Sequence, residues 1–225
     1  MKLYYTSGNS NFVSESVLLS ALPRDRRNQI ERRPYPDRIV SAAATLLLRY
    51  ALCDTGNRAF CEVPIIREGK PHFADPIIPL YFNLSHTTDK ASGDFAAAVL
   101  LSENGEVGVD LEFVRTIRNR DRLMQRLFTA QEREYLGKSG DESAFFDIWC
   151  AKEAFVKWMG EGFARPFSSV SVDVAGRCAV SDAIVCDLAW YTIGQSRICC
   201  AADDLSSGIE IRVVSPNEFT KYQEE

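Results

Sequence analysis

Histidine is scarce in this sequence, which has only His72 and His86 among its 225 residues. Two histidines nearly exclude a histidine-rich zinc site and leave few candidates for a serine–histidine–aspartate triad. Long apolar runs are also lacking, since none approaches the roughly 18–20 residues that a membrane span requires. The sequence therefore does not favour a zinc enzyme, a triad hydrolase or a membrane protein.

Paired cysteines are lacking as well. The seven cysteines are an odd number without a C-x-x-C pair, and several lie within apolar runs. This pattern favours reduced thiols that pack as small hydrophobic side chains over a disulfide framework or a metal site. The first residues do not have the basic-then-apolar order of a secretory signal. Both observations lead us to expect a cytoplasmic protein.

The composition is that of globular proteins, with 46% hydrophobic and 25% charged residues. Apolar periodicity predicts helices over 10–21, 38–53 and 142–159, with Pro36-Asp37 as the start of the second and Gly160-Glu161-Gly162 as the end of the third. The capping-box sequence Thr129-Ala130-Gln131-Glu132 predicts a further short helix. Strands are predicted over 95–101, 107–112, 168–174, 183–193, 197–202 and 208–214. We therefore expect an α+β fold with antiparallel strands.

The net charge of −5 conceals two arginine-rich stretches. Residues 21–40 carry six arginines against three acidic residues, and residues 113–126 carry five against one. Because arginine matches the geometry of phosphate and carboxylate groups, these stretches predict anionic partners, with solvated helix faces as the alternative. Nucleic acid is disfavoured by the acidic net charge and by the lack of a nucleic-acid-binding motif.

Two carboxylates lie on one face of a predicted strand in the sequence Gly108-Val109-Asp110-Leu111-Glu112. The Cα atoms of Asp110 and Glu112 would be about 6.5–7 Å apart. Such a pair suits a hard cation such as Mg²⁺ whose remaining ligands are water and phosphate oxygens. The alternative is a strand whose outer face happens to be acidic.

The predicted helix 142–159 carries charge at its centre although it is apolar nearly all round. Trp149, Glu153 and Lys157 lie along one face, about 6 Å apart per step, and Lys152 lies beside them. An ordinary Glu153–Lys157 ion pair is one interpretation. Charge in a largely buried helix is costly, however, and is typical of functional sites.

Two further segments carry groups that bind phosphate. Asn83-Leu84-Ser85-His86-Thr87 supplies a hydroxyl and an imidazole, and Glu68-Gly69-Lys70-Pro71 presents a lysine at a turn. Each segment is a weak signal by itself. Together they indicate a site for a phosphorylated ligand.

Taken in order, G-K-P, N-x-S-H-[ST], G-x-D-x-E and W-x-x-K-E-A-x-x-K make this sequence resemble the 4′-phosphopantetheinyl transferases, specifically their Sfp-like class, over about residues 15–175. The resemblance implies a pseudo-dimer of two similar halves, each an antiparallel sheet packed with helices, with the active site between them. Residues 1–104 would form the N-terminal half, with the coenzyme A nucleotide contacts, and residues 105–225 the C-terminal half, with the metal and catalytic motifs. Because both halves lie on one chain, a monomer is expected.

The resemblance also implies an activity: transfer of phosphopantetheine from coenzyme A to a serine of an apo acyl or peptidyl carrier protein, which releases adenosine 3′,5′-bisphosphate. Asp110, Glu112 and Glu153 would hold Mg²⁺, with Mn²⁺ left open. Glu153 would also be the base for the serine, and Lys157 would neutralise and protonate the leaving phosphate. Coenzyme A would further be bound by residues that contact its phosphates: Lys70, Ser85, His86 and Lys152. Fatty-acid, polyketide, nonribosomal-peptide and aminoadipate-type carriers all remain open.

One position departs from the family pattern, since Val40 stands where the family often has an arginine that contacts the 3′-phosphate. Arg33, Arg32 and Arg38 are the candidate replacements; otherwise a weaker affinity for coenzyme A is expected. The acidic carrier would dock on arginines that follow the carboxylate strand: Arg118, Arg120 and Arg122. The alternatives are a non-catalytic relative that binds coenzyme A or a carrier, and an unrelated Mg²⁺-dependent phosphodiesterase or nuclease.

Overall fold

The computed structural model describes residues 1–35, 37–63, 65–67, 69–160 and 165–219. Its strands are β1 (Lys2–Asn9), β2 (Ile65–Ile66), β3 (His72–Phe73), β4 (Tyr81–Thr88), β5 (Asp94–Ser102), β6 (Val107–Phe113), β7 (Ser171–Asp173), β8 (Cys178–Ser181), β9 (Ile184–Ile193), β10 (Ser196–Ala202) and β11 (Glu210–Val213). Its α-helices are α1 (Glu15–Ser20), α2 (Arg24–Glu31), α3 (Asp37–Asp54), α4 (Arg120–Leu127), α5 (Ala130–Ser139), α6 (Glu142–Met159) and α7 (Pro216–Phe219). Short 3₁₀ turns cover Arg58–Glu62 and Phe167–Ser169. None of these helices is both long and apolar enough to span a bilayer.

The first sheet has the strand order β11-β1-β5-β4, and α3 packs against it. Strand β5 is a continuous apolar run because both of its faces are covered. Phe95 and Val99 point into a core that they share with α3. Ala96 and Leu100 point to the opposite face, into a core that they share with β6 and β10. Alternate residues of one strand thus join two cores, which explains why the run does not alternate with polar residues.

The second sheet is antiparallel, with the strand order β6-β10-β9-β8-β7, and α6 packs across it. Helix α6 is apolar because it buries Phe145, Ile148 and Phe155 in the core of this half. Asp141 caps its N-terminus and Gly160 ends it in the left-handed conformation, with φ of 76°. The helix therefore has a fixed register above β6, the strand at the edge of the sheet.

The two sheets meet edge to edge, β4 of the first against β6 of the second. The side-chain oxygen of Asn83 on β4 accepts a hydrogen bond from the backbone N–H of Val109 on β6, at 2.9 Å. A third core lies behind this contact and contains residues of both sheets, among them Leu3, Val107 and Ile198. We call the contact line between β4 and β6 the seam.

The mixed α+β class is confirmed, and so are the helices predicted over 38–53 and 142–159. The predicted helix 10–21 is shorter, since only Glu15–Ser20 are helical, and β1 and β4 were not predicted. The segment 168–174 begins as a 3₁₀ turn before β7. Pro36 of the predicted helix start, and Glu161 and Gly162 of the predicted glycine stop, lie outside the described residues.

The expectation of antiparallel sheets needs one correction, which concerns the strand after residue 208. Strand β11 pairs in parallel with β1, from Lys2 opposite Glu210 to Tyr5 opposite Val213. The segment from β11 through α7 packs on the first sheet, so its position in space differs from the half expected from its position in the chain. Two contacts hold it there: Arg212 forms an ion pair with Asp54 at the end of α3, and the arginine lies over the ring of Tyr50.

Candidate active site

Polar side chains on alternate residues of β4 face the seam. Because residues two apart on a strand point to the same side, three of them contact β6 in succession. Their hydrogen bonds join Asn83 to the N–H of Val109, Ser85 to Asp110 (Oγ to Oδ1, 2.8 Å) and Thr87 to Glu112 (Oγ1 to Oε2, 3.0 Å). The strand therefore orients both carboxylates of the G-x-D-x-E motif.

Lys157 of α6 reaches the same point from above the second sheet. Its Nζ donates to Asp110 Oδ1 at 2.7 Å, to Ser85 Oγ at 2.9 Å and to the carbonyl of Val109 at 3.1 Å. The lysine side chain is 28% exposed, whereas that of Asp110 is only 8% exposed. A partly exposed cation thus contacts both sheets, at Ser85 on β4 and at Asp110 on β6.

Glu153 lies one turn before Lys157 on α6 and completes a group of three acids. Burial raises the pKa of Glu153 to about 7; the charge of Asp110 adds to this rise and Lys157 opposes it. Burial, followed by the charge of Asp110, also raises the pKa of Glu112. The carboxylates of Asp110, Glu112 and Glu153 therefore lie together in a partly desolvated region, and the single charge of Lys157 does not neutralise all three.

A close contact between β6 and α6 at Gly108 brings these groups together. A Cβ atom on this glycine would lie 2.0 Å from the carbonyl oxygen of Ala154 and 2.6 Å from the backbone nitrogen of Trp158. Both are backbone atoms, so neither can move aside as a flexible side chain would. The glycine of the G-x-D-x-E motif allows the strand to approach the helix that carries Glu153 and Lys157.

The donor atoms fit a hard cation. Within the described ranges, no group of three or more His, Cys, Asp or Glu side chains already has the spacing of a metal site, and Lys157 occupies Asp110 Oδ1. The second oxygen of Asp110, however, is buried without a hydrogen-bond partner. A buried orphan carboxylate oxygen beside two acids of raised pKa is a donor set suited to Mg²⁺.

Comparison with known proteins gives the family. A sequence profile described as the 4′-phosphopantetheinyl transferase superfamily matches residues 106–200. The 4′-phosphopantetheinyl transferase AcpT of Escherichia coli (strain K12) is 34% identical over 155 residues, which are 68% of this chain and 71% of that protein. The chain belongs to the 4′-phosphopantetheinyl transferase superfamily.

Other relatives agree with this assignment. AcpT of Salmonella typhi is 39% identical over 142 residues, which are 62% of this chain and 67% of that protein. The 4′-phosphopantetheinyl transferase HetI of a Nostoc species is 33% identical over 102 residues, 43% of this chain and 40% of that protein. The resemblance that the motifs indicated is confirmed at the level of the 4′-phosphopantetheinyl transferases, and the protein is an enzyme of the transferase class.

Lys70 and His86 lie at the edges of the phosphopantetheinyl transferase seam. Lys70 Nζ donates to the carbonyl of Trp158 at 3.0 Å and pairs with Glu106 at 2.5 Å; burial lowers its pKa while Glu106 opposes that change. Burial lowers the pKa of His86 to about 4, and the charges of Lys157 and Arg33 add to this effect. A pKa near 4 leaves this imidazole neutral at pH 7.

The assignment of Lys152 to coenzyme A is corrected by the structure. Its side chain is 0% exposed and pairs with Glu132, also 0% exposed, at 2.9 Å. Nζ donates in addition to the carbonyls of Phe167 (2.9 Å) and Val170. All three donors of this ammonium group point into the core between α6 and the second sheet, on the side of α6 away from the seam.

The position that lacks the family's arginine, Val40, and two of its candidate replacements, Arg38 and Arg33, differ in their surroundings. Val40 is 1% exposed and is buried in the core beneath α3. Arg38 points toward α1, where its Nε pairs with Glu15 at 2.9 Å. Arg33 is exposed, donates to Ser41 Oγ at 3.1 Å and is close enough to His86 to affect its pKa. Of the two arginines, Arg33 is thus the one whose charge reaches the seam, whereas Arg38 is paired with an acid.

The arginines expected to dock the carrier also differ from one another. Arg118 and Arg122 are exposed, on and just before α4. Arg120 lies with its guanidinium carbon 5.9 Å from the ring centre of Phe145, and its Nε is buried. Only the first two therefore present their charge fully to a partner.

The sequence analysis gave no role to several residues that orient the seam or neutralise a nearby lysine. Thr87 and Asn83 orient β6, Glu106 holds Lys70 at the seam, and Glu132 neutralises Lys152 on the other side of α6. The alternation of Asn83, Ser85 and Thr87 is the one signal that would have found the first two, because it places three polar side chains on one face of a strand. Glu106 and Glu132 have no comparable signal, since their partners are distant in sequence.

Proposed function

We propose that this enzyme transfers 4′-phosphopantetheine from coenzyme A to a serine hydroxyl of an apo acyl or peptidyl carrier protein. The carrying observation is the arrangement at the seam, where Lys157 bonds to both Asp110 and Ser85, with Glu153 one helical turn away. Transfer of this kind depends on positioning and charge neutralisation rather than on a protein nucleophile. A lysine among carboxylates supplies both requirements.

The reaction exchanges one phosphorus–oxygen bond for another. The serine oxygen forms a bond to the phosphorus that carries the pantetheine, and the bond from that phosphorus to the adenosine bisphosphate oxygen breaks. Glu153 accepts the serine proton as the general base. Lys157 donates a hydrogen bond to the leaving phosphate of adenosine 3′,5′-bisphosphate and neutralises its charge.

Asp110, Glu112 and Glu153 would hold Mg²⁺, with Mn²⁺ as a possible substitute. When bound, the ion would neutralise the pyrophosphate charge. Two of these ligands, Asp110 and Glu112, are oriented by Ser85 and Thr87 from the opposite strand. Release of Lys157 from Asp110 would leave that carboxylate with Ser85 as its hydrogen-bond partner and free the lysine for the phosphate.

The remaining phosphate contacts come from the first half. Lys70 lies beside the end of α6, and His86 follows Ser85 on β4. Neutral His86 can donate one hydrogen bond to a phosphate oxygen, and Lys70 can supply charge when the phosphate competes with Glu106. These groups place the pyrophosphate across the seam and next to Lys157.

For the partner, we propose an acidic helical carrier that docks near α4. The exposed Arg118 and Arg122 directly follow the strand that carries Asp110 and Glu112, so a carrier bound there would present its serine to the seam. Such steering weakens with ionic strength. The Michaelis constant for the carrier should therefore rise with salt, and a constant value would contradict this docking surface.

The finer features of the family assignment belong to the same proposal. We propose an Sfp-like enzyme in which each sheet with its long helix is one half of a pseudo-dimer, and which acts as a cytoplasmic monomer. The predicted boundary near residue 104 falls between β5 and β6, where the chain passes from the first sheet to the second.

The test is the intact mass of a carrier. The protein is incubated with coenzyme A, Mg²⁺ and an apo acyl carrier domain, beside a Glu153→Gln variant. A gain of one phosphopantetheine with the wild type alone is the expected result. Coenzyme A binding without transfer would instead indicate a non-catalytic relative, and hydrolysed coenzyme A would indicate a phosphodiesterase; either result would overturn the proposal.

A further inference from the structure

Two of the seven cysteines lie side by side in the first half of the molecule. Cys53 is in the last turn of α3, and Cys61 is in the 3₁₀ turn that follows this helix. Their Sγ atoms are 3.7 Å apart, and both side chains are partly exposed. The other five cysteines lie in the second half, where four of them are buried. The pair is therefore a place where two thiols are adjacent and accessible to a reagent in solution.

The end of α3 brings these two thiols together. Gly56 follows the helix in the left-handed conformation, with φ of 78°, and its N–H bonds to the carbonyl of Cys53 at 3.1 Å. The N–H of Asn57 bonds to the carbonyl of Leu52 at 2.8 Å. This pair of hydrogen bonds ends a helix and reverses the chain. The 3₁₀ turn Arg58–Glu62 therefore packs back onto the last turns of α3.

Two contacts with Arg49 fix the position of Cys61 on α3. The guanidinium group of Arg49 donates to the carbonyl of Cys61 at 3.1 Å, and the Cys61 thiol lies 3.6 Å from the carbonyl oxygen of Arg49. Arg49 and Cys53 are four residues apart, so they lie on one face of the helix. The sulfur atoms thus meet because the fold holds the turn against this face.

The geometry allows a bond between the two sulfur atoms after a small movement. A disulfide has an S–S distance of about 2.05 Å, so atoms that are 3.7 Å apart must approach by less than about 2 Å. Cys61 can supply this movement, since it belongs to a turn of five residues, whereas Cys53 is part of a helix of 18 residues. Cys61 also lines a cavity of about 370 Å³, which gives a small reagent room to approach.

We propose that Cys53 and Cys61 are a redox modification site that forms an internal disulfide with a small-molecule disulfide such as oxidised glutathione. The thiolate of one cysteine attacks a sulfur of the reagent, whose S–S bond breaks and releases one glutathione. The second cysteine then attacks the mixed disulfide on the protein, and the second glutathione leaves. The protein loses two electrons and two protons, which the reagent takes up as two molecules of reduced glutathione. This site does not depend on the proposed function.

The first experiment locates the disulfide by mass. The wild type is treated with oxidised glutathione, quenched with acid, alkylated and digested with trypsin without reduction. Cleavage after Arg49, Arg58 and Arg67 places the two cysteines in separate peptides, 50–58 and 59–67. We expect one species with the summed mass of both peptides less two hydrogen atoms, which reduction separates again. A wild type that keeps glutathione on either cysteine, or that forms a disulfide between two chains, would overturn the proposal.

Variants identify the role of each thiol. Cys53→Ser and Cys61→Ser should each keep one glutathione on the remaining cysteine of the pair, because the second attack is lost. Cys178→Ser is the control, since Cys178 is a partly exposed cysteine of the second half, on β8, and this variant should form the disulfide as the wild type does. Loss of the linked peptides in the control, or their presence in a pair variant, would contradict the assignment.

A second measurement separates a site that the fold builds from two thiols that are only eight residues apart in sequence. The equilibrium between dithiol and disulfide is measured in glutathione buffers, with the protein folded and in concentrated urea. The constant for disulfide formation should be at least about tenfold larger in the folded protein, because the fold holds the sulfurs in contact. An equal or smaller constant in the folded protein, or no disulfide at any buffer ratio, would overturn the proposal.

Discussion

Helix α6 carries two lysine–carboxylate pairs that differ in almost every physical respect. Lys152 and Glu132 are both 0% exposed, whereas Lys157 is 28% exposed against Asp110 at 8%. The two lysines are five residues apart, which places them about 140° apart around the helix. One points into the core of the second half and the other points into the seam.

The pairs also differ in how fully their hydrogen bonds are used. Glu132 accepts from the backbone N–H groups of Thr129 and Val172, and Lys152 uses its three donors on Glu132 and two carbonyls. Asp110, by contrast, keeps one buried oxygen without a partner. The Lys152–Glu132 pair uses its hydrogen bonds within the protein, so it stabilises the fold and has none left for a ligand. The Lys157–Asp110 pair keeps an unused acceptor that a ligand can contact, so we expect function at this pair.

The largest expected effect comes from Lys152→Met. It leaves Glu132 buried without its cation, so the free energy of unfolding should fall by about 3–5 kcal/mol in urea titrations. Lys138→Met is the matched control, because Lys138 pairs with Glu134 at 2.8 Å on an exposed helix surface, so this variant should be almost as stable as the wild type. Equal stability of the two variants would contradict the distinction between the pairs.

Lys157→Met should have the opposite result. Loss of a cation at the leaving phosphate should reduce kcat by about 10²–10³-fold, measured from the time course of carrier mass. The free energy of unfolding should change by less than about 1 kcal/mol, since this lysine is partly exposed and its carboxylate has Ser85 as a second partner. A stability loss like that of Lys152→Met, or turnover near that of the wild type, would show that the Lys157–Asp110 pair is structural, like the Lys152–Glu132 pair.

Gly108→Ala tests the close contact between β6 and the side of α6 that carries Glu153 and Lys157. The added methyl group would meet two backbone atoms, so strand and helix must separate, at a cost of about 2–3 kcal/mol and with a clear loss of turnover. Gly137→Ala on α5 is the control, because nothing lies within 4 Å of its Cβ position and alanine favours a helix. If Gly108→Ala behaved like the control, the contact would not position the site.

The smallest effect concerns Glu153, whose pKa is raised by burial to about 7. A raised pKa stabilises the folded protein at low pH, and this stabilisation is lost as the pH rises from about 4.5 to about 7. Glu153→Gln has no such loss, so its stability relative to wild type should increase by about 1–2 kcal/mol over this range, allowing for partial exposure. Urea unfolding in a chelator at about pH 5 and pH 7.5 measures the difference; no change with pH would contradict the raised pKa.

Local patterns were sufficient to predict the parts of the fold that depend on near neighbours. Helices α3 and α6 follow from apolar periodicity, and the capping box is present, with Thr129 and Glu132 bonded to each other's backbone. Strand β4 was missed because Asn83, Ser85 and Thr87 are polar, and their burial depends on partners that lie 25 or 26 residues away on β6.

The candidate site shows the same division. The carboxylates and Lys157 were predicted from their spacing and from the resemblance, because their motifs are local. Lys152 was assigned to the same site because it belongs to the motif that also contains Glu153 and Lys157. Its true partner Glu132 lies on another helix, and sequence does not reveal which side of α6 faces the seam.

The parallel pairing of β11 with β1 has a consequence for synthesis on the ribosome. Strand β1 is made first, but its partner β11 is encoded after every strand of the second sheet. The emerging chain therefore carries an unpaired strand edge until nearly all of both sheets has been translated, and such edges recruit other chains. Aggregation of incomplete chains, rather than loss of activity, is the defect to expect when β11 is removed.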